Sequence, residues 1–247
     1  MTTMGMNDFI QFFRGMGGKI SSNVLAGVQG QTSPQSISFL RQLEKEARQN
    51  NDLSCPLGQL EVVVFDIETT GFFPEKGDQI ISIGAVKMHG SEILHDDRFY
   101  SLIKINTPLS PEISSLTNIT DEDLQTAPES SEVLLNFLKY VSTKSLVAHH
   151  SKHEQNFMQK LTWDITRKKF QHRILDTSFL TQLFNPISSS NALEDLCVGC
   201  GIEIKNRHHA LGDAIMTAHL WSYYLKKAQE AGFKNLSEIY NHIGKLR

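Results

Sequence analysis

From residue 61 onward the chain alternates short apolar runs with longer amphipathic segments, and this alternation restricts its fold more than any other feature. EVVVFDIE at 61–68 is a β-branched run typical of a buried strand, and QIISIGAVKMH at 79–89 has the period of a second strand. The same patterns predict strands at 99–105, 145–150 and 174–176, and helices at 129–141, 152–161, after 176 to 184, from 191, and at 209–231. Strands followed by alternating helices and strands predict an α/β fold, a mixed sheet with helices on both faces.

The first sixty residues have a different composition. Residues 7–14 predict a short amphipathic helix, 15–36 a linker rich in Gly, Ser and Gln, and 36–49 a polar helix. We therefore expect an N-terminal extension over 1–57, a main domain over 58–232 and a helical C-terminal tail over 233–247. The apolar cluster of the extension either docks on a protein partner or folds back on its own domain; it comprises Phe9, Ile10, Phe12 and Phe13.

Composition excludes several classes of protein. No stretch approaches the ~18 apolar residues of a membrane span. The N-terminus lacks the pattern of a signal peptide, and three cysteines, an odd number, favour a reducing compartment, so we expect a cytoplasmic protein without a disulfide framework. The net charge of −3 gives no general attraction to nucleic acid, yet residues 152–173 carry six Lys/Arg against two acidic residues, with three aromatics between them. That segment is either a solvated helix face or a surface that follows a phosphate backbone.

Two acidic residues end the first predicted strand. Asp66 and Glu68 are two residues apart, so their side chains point to the same face. Such a pair repels itself unless a cation lies between the carboxylates, and Mg²⁺ prefers oxygen ligands of this kind. The turn Thr69-Thr70-Gly71 offers backbone N–H groups to a phosphate. The alternative is a strand end with solvated acids.

A second constellation is HHALGDA at 208–214. His208 and Asp213 converge only if the histidine lies in the loop before the helix and the acid in the first turns. They would then form a pair of general base and metal ligand. The alternative is a surface histidine beside an acid favoured by the helix dipole.

Together, FDIETTG, LVAHHSKHE at 146–154 and HHALGD resemble, in this order, the three motifs of the DEDD-type 3′–5′ exonucleases of the histidine subclass. PLSPEISSLTNITDEDL at 108–124 looks like the segment after the third strand in the proofreading branch of that family, the branch of the epsilon-like exonuclease of bacterial DNA polymerase III. The resemblance covers about residues 60–227 and implies a ribonuclease H-like fold. It also implies two divalent metal ions (Mg²⁺ or Mn²⁺) and release of nucleoside 5′-monophosphates from single-stranded 3′ ends, of DNA more than of RNA.

By position, the resemblance implies that metal ions are held by the carboxylates Asp66, Glu68, Glu154 and Asp213. It makes His208 the general base, with Glu68 as the second catalytic residue. The substrate-binding residues would be Thr69, Thr70, Gly71, His149 and His150.

The middle motif departs from the family pattern, which has Asn after its histidine and then Asp preceded by Phe. Here those positions read His150, Glu154 and His153. Glu154 keeps the carboxylate with one more methylene, and it shares a helical row with Phe157 and Met158, at the spacing of a buried stripe. A buried carboxylate needs a partner, and a metal ion is one. The rival hypothesis is a weakened module that binds nucleic-acid ends or a replication or repair partner without cutting.

Overall fold

A five-stranded mixed sheet organises the molecule, a computed structural model in which residues 52–185 and 191–245 are described. The strands are β1 (Glu61–Thr69), β2 (Ile80–His89), β3 (Glu92–Leu102), β4 (Ser145–Ala148) and β5 (Ile174–Asp176), in the spatial order β3-β2-β1-β4-β5. β1–β2 and β2–β3 are antiparallel, whereas β1–β4 and β4–β5 are parallel. The predicted mixed α/β sheet is therefore confirmed.

Eight α-helices connect and cover these strands in the described ranges. They are α1 (Pro111–Thr117), α2 (Asp121–Thr126), α3 (Ser130–Val141), α4 (Lys152–Thr166), α5 (Ser178–Phe184), α6 (Leu193–Gly199), α7 (Ala210–Glu230) and α8 (Leu236–Lys245). Short 3₁₀ turns cover Asp52–Ser54, Leu57–Gln59 and Pro74–Lys76.

The alternation of side chains along β1 divides the core into two layers. Val62 and Val64 pack with α7, whereas Val63 and Phe65 pack on the other face with α3 and α4. All four side chains are fully buried. A strand covered on both faces reads as a continuous apolar run, which is why VVVF lacks polar residues.

Two segments differ from their prediction. β3 begins at Glu92 and ends at Leu102, whereas the sequence predicted 99–105. It is an edge strand whose first half is polar and mostly exposed, so pairing with β2 defines it more than hydrophobicity does. The connection 108–128 contains α1 and α2. Ser110 caps α1, and Thr120 with Asp123 forms a capping box on α2.

The C-terminal helix α8 packs on the same core as β1 and α7. Its Leu236 and Ile239 are fully buried in the cluster that contains Trp221. The helices predicted at 7–14 and 36–49, with the linker between them, lie outside the described residues. Among the helices described, none has the length and apolarity to cross a membrane.

Candidate active site

Three carboxylates meet where β1 passes the start of α7. Asp66 and Glu68 project from the same side of β1, and Asp213 lies in the first turn of α7. One oxygen from each lies within 4.8 Å of the others, and Asp213 is buried. The structure thus brings together three of the four predicted metal ligands.

Glycines let α7 come this close to the sheet. Gly84 on β2 pairs with Asp66, and a Cβ at Gly84 would lie 2.1 Å from the backbone nitrogen of Leu211. Gly212 is similarly constrained, because a Cβ there would lie 2.2 Å from the carbonyl oxygen of Asn206. Neither position has room for a side chain: Gly84 lets α7 approach the sheet, and Gly212 lets the loop that contains Asn206 fold against the first turn of α7.

Glu154, the fourth predicted ligand, lies beside Asp66 but outside the group of three. It is 4% exposed in the first turn of α4, and its Oε2 has no hydrogen-bond partner among the described residues. Asp176 fixes the start of that helix: its carboxylate accepts from Ser151 N–H at 2.7 Å and from Ser178 N–H at 2.8 Å. β5 therefore contributes to the position of Glu154.

Burial and mutual repulsion make the carboxylates hard to ionise together. Burial, then the charges of Glu154, Asp213 and Glu68, raise the pKa of Asp66 well above its usual range. Burial and Asp213 raise the pKa of Glu68 to about 7. Burial, then the charge of Asp176, raises the pKa of Glu154 to about 8. A site of this kind favours a cation or protons.

Arg207 supplies part of the missing positive charge, a role that the sequence motifs did not indicate. Its Nε donates to Glu194 Oε1 at 2.6 Å, and its Nη1 donates to Asp213 Oδ2. Its charge lowers the pKa of Asp66 and Glu68 and partly offsets the rise that burial causes at Asp213. In the sequence, only its position next to His208 indicated that Arg207 belongs to the site, because its partner Glu194 lies 13 residues away along the chain.

His208 lies in the loop directly before α7, as predicted from its spacing to Asp213. Its backbone is left-handed (φ 59°), and its N–H donates to Asp213 Oδ2 at 3.2 Å. Burial raises the pKa of Asp213, and the charges of Arg207 and His208 partly offset that rise. His209 instead caps α7, accepting from Gly212 N–H at 3.4 Å, and stacks on Tyr100 with ring centroids 4.5 Å apart.

The predicted substrate-binding residues are already engaged in internal contacts. Thr70 N–H donates to Gln79 O at 2.9 Å, and a contact of this turn with a phosphate stays a prediction. The Thr69 hydroxyl donates to Gly71 O at 2.7 Å, and a Cβ at Gly71 would lie 2.4 Å from the Asp78 carboxylate.

His149 and His150 bind the same backbone oxygen. Their Nε2 atoms lie 2.8 Å and 2.9 Å from Asn191 O, just before α6, and His149 Nδ1 lies 2.7 Å from the Thr177 hydroxyl. The two rings therefore fix the start of α6 beside the carboxylates. A contact of either ring with substrate stays a prediction.

Two exposed phenylalanines that follow the acidic end of β1 in the chain were not among the predicted site residues. Phe72 and Phe73 follow the turn after β1 and are 78% and 50% exposed. The Phe72 ring lies 5.9 Å from the ring of His153, which itself lies 3.5 Å from the Thr69 hydroxyl. Consecutive aromatics directly after an acidic motif were the available signal. Exposed rings at a site mouth can stack on planar ligands.

The residues present fit divalent cations. Oxygen donors converge from β1 and α7, and two buried carboxylate oxygens lack hydrogen-bond partners among the described residues, Asp213 Oδ1 and Glu154 Oε2. Hard cations such as Mg²⁺ and Mn²⁺ take this donor set.

Comparison with known sequences identifies related proteins. The family model RNase_T, described as Exonuclease, matches residues 63–221. A DNA polymerase III PolC-type protein of Bacillus cereus is 33% identical over 194 residues, which is 78% of this chain and 13% of that protein. A DNA polymerase III subunit epsilon-like protein of Rhodobacter capsulatus is 30% identical over 192 residues, 77% of this chain and 27% of that protein. The chain thus spans only a small part of these relatives.

Solved structures show the same fold. The nuclease domain of 3′hExo, a DEDDh family member bound to rAMP, superposes with a TM-score of 0.59 at 21% identity, over 70% of this chain and 92% of that one. E. coli exonuclease I in complex with a dT13 oligonucleotide gives 0.59 at 14% identity, over 70% of this chain and 42% of that one. The predicted ribonuclease H-like exonuclease fold is confirmed.

Proposed function

The chain belongs to the exonuclease family, and from this premise we propose that it is a metal-dependent 3′–5′ exonuclease. It removes nucleoside 5′-monophosphates from single-stranded nucleic acid. The observation that carries the proposal is the convergence of Asp66, Glu68 and Asp213 within 4.8 Å, with His208 directly before the same helix.

The four carboxylates are the proposed ligands of the metal ions. Asp66, Glu68, Glu154 and Asp213 would hold two divalent ions, with Glu154 reaching the site through its longer side chain. When bound, such ions lower the pKa of the attacking water and neutralise charge on the phosphate oxygens. The unpartnered oxygens of Glu154 and Asp213 support this assignment.

His208 acts as the general base. It accepts a proton from water as the water oxygen forms a bond to the terminal phosphorus, and Glu68 orients that water. The bond from phosphorus to the 3′ oxygen of the penultimate nucleotide breaks, and solvent protonates that oxygen.

Single-stranded DNA is the substrate that we favour over RNA. The relatives that match over most of this chain are named as DNA polymerase III proteins, which supports DNA. The exposed ring of Phe72, next to His153, would stack on a terminal base, which is accessible only in a single strand.

The test is hydrolysis of matched DNA and RNA oligonucleotides of one sequence, labelled at either end, with Mg²⁺, Mn²⁺ or EDTA. We expect the 3′-labelled strand to release labelled mononucleotide first, while the 5′-labelled strand shortens progressively. The control is Asp213→Asn, which removes a proposed ligand at nearly constant volume. Cleavage at internal positions, or equal cleavage by the control variant, would contradict the proposal.

A binding module without hydrolysis is the second candidate, because Glu154 lies outside the group of three and Arg207 engages Asp213. Calorimetric titration with Mn²⁺ separates the two. Two bound ions per chain support the nuclease, whereas one or none, with retained binding of 3′ ends, supports the module.

A further inference from the structure

The outer face of α4 carries a row of polar and aromatic residues that the proposed chemistry does not use. We propose that this row, Lys152, Asn156, Lys160, Trp163 and Arg167, together with Lys168 and Lys169, binds the 5′ part of a single strand whose 3′ end lies in the carboxylate site. The proposal rests on the function proposed above and extends it to a second contact with the same substrate.

The direction of α4 connects the two places. It begins four residues after the end of β4, with Glu154 in its first turn, and the chain then enters β5, which runs parallel to β4. α4 must therefore run antiparallel to β4, from the C-terminal ends of β1 and β4, where the carboxylates lie, towards the N-terminal ends of β4 and β5. Fifteen residues of helix span about 22 Å. Several nucleotides of an extended strand fit along that length.

The spacing of the row places it on one face. Steps of four, four, three and four residues keep its side chains within less than a quarter turn of the helix. All five are exposed, and Trp163 is 46% exposed. The opposite face, with Phe157 and Met158, is buried in the core. Because the core fixes the rotation of α4, the row has to face solvent.

The charges along the row are mostly available. Arg167 ends α4 in a left-handed conformation (φ 57°), and Lys168 and Lys169 follow it. In the ranges that the structure describes, none of these three side chains forms an ion pair. Lys160 does pair with Asp164, so it contributes less.

Helix stabilisation alone does not explain this composition. Cations at the C-terminal end favour the helix dipole, which accounts for Arg167, but Lys152 lies at the N-terminal end, where a cation is unfavourable. The half-exposed ring of Trp163 gains nothing from the dipole either. A surface with both cations and an exposed aromatic ring suits a single strand, because the cations bind its phosphates and the ring stacks on its bases.

The expected effects follow from this chemistry. Removing one cation that binds a phosphate lowers the slope of log affinity against log salt by about 0.7 for single strands, so removing three should lower it by about 2. Removing the ring of Trp163, and with it one stacked base, should weaken binding by roughly 5- to 150-fold.

The test uses the full chain and two variants, Arg167→Gln/Lys168→Gln/Lys169→Gln and Trp163→Ala. A matched control removes three exposed cations elsewhere, Lys226→Gln/Lys234→Gln/Lys245→Gln. Binding of fluorescein-labelled oligo-dT of ~4 and ~16 nucleotides is followed by anisotropy in EDTA, where no cleavage is expected. In Mg²⁺ the same oligonucleotides give kcat and KM.

We expect the triple variant to weaken binding of the longer strand at least ~10-fold and Trp163→Ala to weaken it roughly 5- to 150-fold. Both should raise the KM of the longer strand and leave kcat and the shorter strand unchanged. The control should resemble the wild type. Equal weakening at both lengths, or no difference from the control in either variant, would overturn the proposal. Hydrolysis that does not depend on the row would support the proposed nuclease and refute the binding surface. Length-dependent binding without any hydrolysis would support the surface and refute the nuclease. Absence of binding would refute the surface.

Discussion

Replacement of Glu154 tests both the electrostatics and the chemistry of the site. Glu154 is 4% exposed, and burial raises its pKa from an ordinary 4.5 to about 8. Near pH 7 without metal, the folded protein therefore holds this carboxyl protonated, while the unfolded chain holds it ionised. Folding takes up a proton at Glu154, so the contribution of this group to stability is greatest below pH 4.5 and falls until the pH passes about 8. At pH 7 the cost is roughly 3 kcal/mol.

Glu154→Gln removes that cost, because an amide has no proton to take up. In EDTA at pH 7 we expect the variant to melt roughly 6–12 °C above the wild type, and the difference to vanish near pH 4.5. Asp66 and Glu68 titrate in both proteins, and because the charge of Glu154 raises the pKa of Asp66, the difference also contains the change at Asp66. Calorimetric melting curves across this pH range measure the difference directly.

A bound metal ion should reverse the order of the two melting temperatures. Mn²⁺ should stabilise the wild type more than Glu154→Gln, since an ionised carboxylate gains a partner that the amide cannot replace. Hydrolysis should fall at least ~100-fold in Glu154→Gln, whereas Glu154→Asp should keep or raise it, because the shorter acid still offers oxygen ligands. Full activity of Glu154→Gln would refute its role as a ligand. Identical melting temperatures of the wild type and Glu154→Gln at every pH would refute the raised pKa of Glu154.

Four further predictions concern the rest of the site and chain. His208→Ala should lower kcat by ~10²–10⁴ with little change in metal binding. His209→Ala should cost only the ~1 kcal/mol of a helix cap, seen as a lower Tm. A greater loss of activity in His209→Ala would show that the general base is assigned to the wrong histidine. Arg207→Gln should tighten Mn²⁺ binding in calorimetry, because the Asp213 carboxylate loses its guanidinium partner, and weaker binding would contradict that reasoning. EDTA should abolish hydrolysis, so undiminished cleavage in excess chelator would exclude a metal-dependent reaction. Deletion of residues 1–50 should leave the Tm and the rate on short strands nearly unchanged, and it should weaken association with a replication or repair partner or break up a homodimer. A large drop in Tm would favour an extension that folds back.

The sequence predicted those parts of the fold that local patterns determine. β1 and β2 lie within two residues of their predicted bounds, because side-chain period and β-branched residues define buried strands locally. The first half of β3 was missed because its polar residues are held by pairing with β2. α1 and α2 were missed although Ser110 and Thr120 gave cap signals, since two short helices bury few apolar residues. Pairing and caps outweigh hydrophobic period at such places.

The predicted positions of the acidic residues agree best with the structure where a motif and a secondary-structure element coincide. Asp66 and Glu68 follow from their strand, and Asp213 from the start of its helix. Arg207 could not be predicted, because its partner Glu194 approaches only after α6 and α7 have packed. Contacts of this kind depend on tertiary structure, so no local pattern announces them.

The altered middle motif retains a defined structure at each changed position. His150 has a left-handed backbone (φ 56°), a conformation that Asn, the family residue, adopts readily, and its ring holds Asn191 O at 2.9 Å. His153 packs on Phe157 with ring centroids 4.7 Å apart and meets Thr69. Glu154 keeps a carboxylate beside Asp66. Its buried Oε2 has no hydrogen-bond partner among the described residues, and a bound cation would offset the cost of burying it. The substitutions therefore favour a changed active site over an abandoned one.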